Sequence, residues 1–271
     1  MGGTVAGEAP GKSLADLPRS ISRLQTVANV TQLAALREYG GLRMHIGEDE
    51  ASSLRRHARF PLTLAAVLAA ICVLTLWAPP AGRTSWALEV GPGLIEVALL
   101  LLSYRRLPLS HLVYGTVFVH VLVLIYGGYY TYALTPLGNW AQQALGLSRN
   151  HYDRVGHLAL GVFPVLLTRE LLLRTSPLER GKWLFFISVS IVFAFAAFWE
   201  LLEWWVTLLV ASDLGQAFLG SQGDVWDAQW DMLLALVGAV LSWLIASGLH
   251  DRSMAKVPIR SREPARDNAP Y

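Results

Sequence analysis

The chain has little charge and almost nothing that can be cross-linked. Of its 271 residues only 15% are Asp, Glu, Lys or Arg, well below the roughly one quarter of an ordinary soluble domain. A formal net charge of +2 is too small to imply a polyanionic partner, so no nucleic acid is expected as a ligand. The single cysteine, Cys72, excludes an intrachain disulfide framework and any cysteine-rich zinc or iron–sulfur centre. The period-two alternation that a membrane-spanning barrel strand requires is absent. Residues 1–43 lack the apolar stretch of a signal peptide.

Apolar residues are abundant, at 54% of the chain, with a mean hydropathy of +0.41. Six stretches are long enough to cross a hydrocarbon core of about 30 Å as helices; they lie near 60–79, 86–104, 110–132, 153–173, 183–205 and 227–249. The expected fold is therefore all-α: a polytopic membrane protein with six transmembrane helices and the lipid bilayer as its surroundings. Lys and Arg are retained on the cytoplasmic side in short loops. Arg55, Arg56 and Arg59 precede the first span, Arg105 and Arg106 follow the second, Arg174, Arg180 and Lys182 follow the fourth, and Arg252, Lys256, Arg260 and Arg262 follow the sixth. The alternate connections carry only Arg83 and Arg149. This pattern places both termini in the cytoplasm of a plasma-membrane, multi-pass protein.

The organisation expected is a polar N-terminal extension over 1–54, a membrane domain over 55–250 and a disordered cytoplasmic tail over 251–271. Ile21, Leu24, Val27, Val30, Leu33 and Leu36 have the spacing of an amphipathic helix. Met44 offers an alternative translation start, and the sequence does not choose between it and Met1.

Once the spans are oriented, acids converge on one side. Asp153 and His157 open the fourth span one turn apart, Glu200 and Glu203 close the fifth, and Asp224, Asp227 and Asp231 open the sixth on one face. All belong to the outer third of the membrane, with Glu89 at the outer end of the second span. Glu96 and His120 fall nearer mid-depth. Uncompensated acids in a membrane are costly and mark function, and adjacent carboxylates repel. A divalent ion (Mg²⁺, Mn²⁺ or Zn²⁺) relieves both, and Asp, Glu and His are suitable ligands. The candidate metal ligands are Asp153, His157, Glu200, Glu203, Asp224, Asp227 and Asp231, with His157, Asp227 and Glu200 as catalytic candidates. Arg149 and Arg154 are candidates for holding a phosphate. Glu89, Glu96 and His120 read either as part of the same cavity or as a proton path. Asp224 reads equally well as a helix cap after Ser221-Gln222-Gly223, and His111 as a structural residue near the basic side.

The segment from Tyr152 to Ala239 resembles the YjdF-like family of bacterial inner-membrane proteins, whose activity is uncharacterised. The resemblance rests on Tyr152-Asp153-Arg154-Val155-Gly156-His157, on Phe198-Trp199-Glu200-Leu201-Leu202-Glu203-Trp204, and above all on Phe218-Leu219-Gly220-Ser221-Gln222-Gly223-Asp224-Val225-Trp226-Asp227-Ala228-Gln229-Trp230-Asp231-Met232. It extends over the membrane domain from Arg55 to Leu249 and implies a plasma-membrane protein without supplying a reaction. Asp224-x-x-Asp227-x-x-x-Asp231 also has the spacing of the first acidic motif of membrane aromatic prenyltransferases. Gly223 replaces their usual Asn, the second acidic motif is missing, and the helices are too few.

Two classes of function remain open. A metal-dependent membrane enzyme would activate water against a lipid-borne phosphate. A proton- or cation-coupled carrier or channel component would run its path through Glu89, Glu96, His120, Glu200 and Glu203. A structural subunit in which a cation ties helices together is the third reading.

Overall fold

Among the described residues every regular element is a helix, and the order of apolar runs in the sequence becomes the order of spans in space. The computed structural model describes residues 49–209, 215 and 219–258. The first span, α1, runs Asp49–Trp77. It is followed by α2 (Arg83–Ser103), α3 (His111–Tyr130), a 3-10 turn (Tyr132–Leu134), α4 (Pro136–Leu145), α5 (Tyr152–Val162), α6 (Pro164–Thr175), α7 (Lys182–Leu209) and α8 (Asp227–Met254). Helices α1, α2, α3, α5 with α6, α7, and α8 make six candidate spans. The N-terminal extension lies outside the described residues apart from Asp49–Leu54, which begin α1. At the other end, α8 continues past Asp251 to Met254, and residues 259–271 lie outside the described set.

Two features depart from a simple reading of the apolar runs. The fourth span is broken: α5 ends at Val162, and Pro164 starts α6 at its first position. Proline has no N–H and its ring crowds the preceding turn, so the ladder is interrupted between Phe163 and the second half-helix. The connection after α3 is also not plain loop. Pro136 starts α4, Gly146 ends it in the left-handed conformation at φ 65°, and Leu137, Trp140 and Leu145 stay exposed on it.

Small residues set the closest approach. Helices α5 and α8 pack backbone to backbone: a methyl on Gly161 would overlap the Ala235 carbonyl, and one on Gly238 would overlap the Leu158 carbonyl. In a bilayer no hydrophobic drive pulls helices together, so close packing of small residues does much of that work. Gly156 and Gly127 accept the ring of Tyr132 in the same way. Between the two ends of the bundle lies a buried apolar layer of Val117, Val121, Val165, Leu166 and Val192, each at most 2% exposed.

The end that carries the basic loops holds a buried polar cluster of its own. Glu170 accepts from the Ser110 N–H at 2.8 Å and from Arg174 at 3.1 Å, and its other oxygen meets His250 Nε2 at 3.0 Å. Arg169 reaches His250 Nδ1 at 3.1 Å and Asp251 at 2.8 Å. Its guanidinium lies 5.1 Å from the centre of the Trp243 ring. Arg180 adds a bond to Asp251 at 3.2 Å, and Arg174 also donates to the Pro108 carbonyl. Nearby, His111 stacks on His57 at 4.1 Å and donates to its carbonyl, as suits a structural residue.

Candidate functional site

Parallel helix starts assemble the acidic end. Both α5 and α8 begin there, so their first turns lie side by side once the glycines have brought the backbones together. Each opens with an aspartate, Asp153 and Asp227, where the partial positive charge of a helix N-terminus favours an anion. One turn further on, His157 and Asp231 face each other across the same contact. Asp153, His157 and Asp231 each offer a ligand atom, and these atoms lie within 4.8 Å of one another. All three side chains are buried. From α7, Glu200 Oε1 comes to 3.3 Å from His157 Nε2, and Asp153 Oδ1 lies 3.8 Å from that nitrogen.

Asp231 Oδ1, Glu200 Oε1 and His157 Nδ1 are buried without a hydrogen-bond partner in the structure. Leaving such atoms unsatisfied costs about 1–3 kcal/mol each, and more for a charged group. Asp231 and His157 belong to the two helices that the glycines bring backbone to backbone. Two carboxylates and an imidazole form a donor set that suits Mg²⁺, Mn²⁺ or Zn²⁺. The residues present therefore fit a divalent cation.

The remaining aspartates of the motif are engaged differently. Arg149 donates to Asp227 Oδ1 at 2.6 Å and to the Ser221 carbonyl at 2.7 Å, while Arg154 donates to Asp224 Oδ2 at 2.6 Å. The other Asp224 oxygen accepts from the Trp226 N–H at 3.0 Å in a local turn ahead of α8; it does not cap the helix, whose N-cap is Trp226 with no side-chain capping bond. Arg154 also lies 5.5 Å from the Trp230 ring centre. Two amides complete the clasp: the Asn150 N–H donates to Gln222 Oε1 at 3.2 Å, and Gln222 Nε2 donates to the Asn150 carbonyl at 2.8 Å. Gln222 sits at φ 48°, a region unfavourable for a side-chain-bearing residue, and these bonds hold it there. The Asn150 side chain donates in turn to Asn139 at 2.8 Å and fills the space left by Gly138. Beside these arginines His151 is held below the ordinary histidine range, first by burial and then by Arg154 and Arg149. The Tyr132 hydroxyl is pushed well above its ordinary range, mainly by burial and further by Glu89.

The sequence-derived candidates thus separate into groups. Asp153, His157 and Asp231 converge, with Glu200 against the histidine. Glu203 is buried one turn further along α7 and accepts from Trp199 Nε1 at 2.7 Å. Asp224 and Asp227 are held by the two arginines, so both are bound to counter-ions instead of facing the triad alone. Glu89 is buried in α2. Glu96 and His120 form a pair of their own at 3.4 Å, beside Phe163 at the break in the fourth span. Sequence reasoning missed Asn150 and Gln222 as the clasp, and it missed the Arg169–Glu170–His250 cluster at the other end. Adjacent opposite charges inside an otherwise apolar span were the available signal for the latter.

Fold and site together define a six-span helical membrane protein with a buried acid–histidine centre near one face. Residues 60–252 match the family described as predicted membrane protein (DUF2238), and the chain belongs to that family. It is 41% identical over 174 residues to inner membrane protein YjdF of Escherichia coli (strain K12), a match that covers 64% of this chain and 83% of that protein. No solved structure matches the chain.

Proposed function

We propose that this is a plasma-membrane protein, with both termini cytoplasmic, that holds one divalent cation between Asp153, His157 and Asp231 and acts on a phosphate group of a lipid-borne substrate. The carrying observation is the convergence of these three ligand atoms within 4.8 Å, beside buried acceptors that have no protein partner. The inner-membrane name of the Escherichia coli relative and the basic loops support the location and orientation. A bound divalent ion would polarise a phosphoryl oxygen and supply a water of lowered pKa. Glu200, against His157, would be the group to take a proton from such a water. Arg154 is the arginine that a substrate phosphate would reach, because its side chain is 21% exposed, whereas that of Arg149 is 8% exposed. A phosphate there would compete with Asp224 for the guanidinium.

The test is metal content by mass spectrometry on detergent-purified protein, together with phosphate release from phospholipid or prenyl diphosphate in mixed micelles. One metal per chain is expected in the wild type, with both metal and phosphate release lost in Asp231→Asn and His157→Ala. Absence of metal after incubation with Mg²⁺, Mn²⁺ and Zn²⁺ would sink the reading. A second reading, a proton- or cation-coupled carrier, draws on the Glu96–His120 pair at mid-span. The buried apolar layer of valines and Leu166 weighs against a continuous path. If the carrier reading holds, Glu96→Gln should abolish ion flux in proteoliposomes while metal content is retained.

A further inference from the structure

The polar cluster at the basic end is closed around one histidine, and its chemistry does not depend on the acidic site. A guanidinium has only donors, so in the 3.1 Å contact between Arg169 and His250 the Nδ1 atom must be the acceptor. The ring proton then sits on Nε2 and is donated to Glu170 Oε2 at 3.0 Å. Both side chains are fully buried, at 0% exposure. His250 therefore works as a neutral linker: it accepts from one α6 side chain and donates to the next.

We propose that His250 is an acid-sensing latch on the α6–α8 contact: with Nδ1 bare it holds Arg169, and a proton arriving at Nδ1 expels Arg169 and loosens this end of the bundle. The charged groups around it define the consequence. From α6 come Arg169, Glu170 and Arg174. From α8 itself comes Asp251, and Arg180 approaches from the segment ahead of α7. From the start of α3 come the Ser110 and Leu112 N–H groups, the former bound to Glu170 and the latter to Ser253. The other histidines at this end, His57 and His111, are stacked on each other.

Glu170 favours an imidazolium, but its carboxylate is already shared by the Ser110 N–H, Arg174 and His250. Arg169 opposes one, because a protonated Nδ1 would place two donors and two positive charges face to face. Asp251 and the Trp243 ring, both on α8, hold the other side of Arg169, so His250, Asp251 and Trp243 together make Arg169 the tie between α6 and α8. Driving Arg169 off Nδ1 weakens that tie and lets α6 shift from α8. Pro164 separates α6 from α5, so the shift does not require α5 to follow. A single proton on Nδ1 converts an acceptor into a donor.

His250→Gln tests the latch, because its amide can accept from Arg169 and donate to Glu170 but cannot take up a proton. Thermal unfolding of the full chain in detergent is followed at about pH 8 and about pH 5.5, on either side of the histidine range. The wild-type midpoint should fall on acidification by several degrees more than that of His250→Gln, and equal falls would overturn the proposal. Should the variant fail to fold, hydrogen exchange on the wild type decides the matter. Protection should be lost at acid pH in 165–175 and 246–254 while α5 stays protected, and unchanged protection there would overturn the latch.

Discussion

Two buried polar clusters occupy opposite ends of the same bundle, and they are built on opposite principles. At the basic end each acid is matched: Glu170 by Arg174, a backbone N–H and a histidine N–H, and Asp251 by Arg169 and Arg180. At the acidic end both nearby arginines are taken up by Asp227 and Asp224, leaving Asp153, Asp231 and Glu200 with one imidazole among them. A satisfied network contributes rigidity. An unsatisfied one has buried atoms left without partners, and on the proposal made above a cation supplies them. On that proposal the difference separates a clasp from a binding site.

The sharpest way to break this comparison is to remove a member of the matched cluster. Glu170→Ala leaves His250, Arg174 and the Ser110 N–H without their acceptor and should cost about 3–5 kcal/mol, read as a large fall in the unfolding midpoint in detergent. Gly161→Leu comes next. It forces α5 from α8, should cost roughly 1–3 kcal/mol or more as overpacking, and should abolish divalent-ion binding by separating Asp153 and His157 from Asp231; calorimetric titration with Mn²⁺ reads the second effect. Arg149→Met should lower stability by an intermediate amount, because it frees the buried Asp227, and Mn²⁺ should restore part of the loss by binding the native state. Asp231→Asn is expected to change metal-free stability by less than about 1 kcal/mol in either direction, while metal binding disappears. A large destabilisation by Asp231→Asn without metal would mean that the acidic end is also a clasp.

The architecture was legible because spans are read from apolar length alone. The six stretches became six candidate membrane helices, with ends shifted by a few residues and the first and last extended into polar sequence. The level of the acidic cluster was legible for the same reason, since position along a helix follows from counting. What counting cannot supply is rotation and long-range partnership. That Asp231 turns toward His157 depends on Gly161 and Gly238, whose effect appears only when two backbones meet. That Asp227 belongs to Arg149 joins positions 78 apart in sequence. The cap reading of Asp224 placed the helix start too early: α8 begins at Asp227 with Trp226 as its N-cap, and Asp224 bonds only the turn before it. Glu170 and His250, 80 residues apart, carry no local pattern that links them.

The divided fourth span also bears on how the chain enters a bilayer. It is the least apolar of the six candidate spans, and it carries Asp153, Arg154, His157, Arg169 and Glu170. Several of their partners, among them Asp231, His250 and Asp251, arrive only with α8, the final described helix. A chain stopped before α8 would leave these groups without the partners that α8 brings, and is expected to be inserted less completely and degraded faster than the full chain in a pulse-chase measurement.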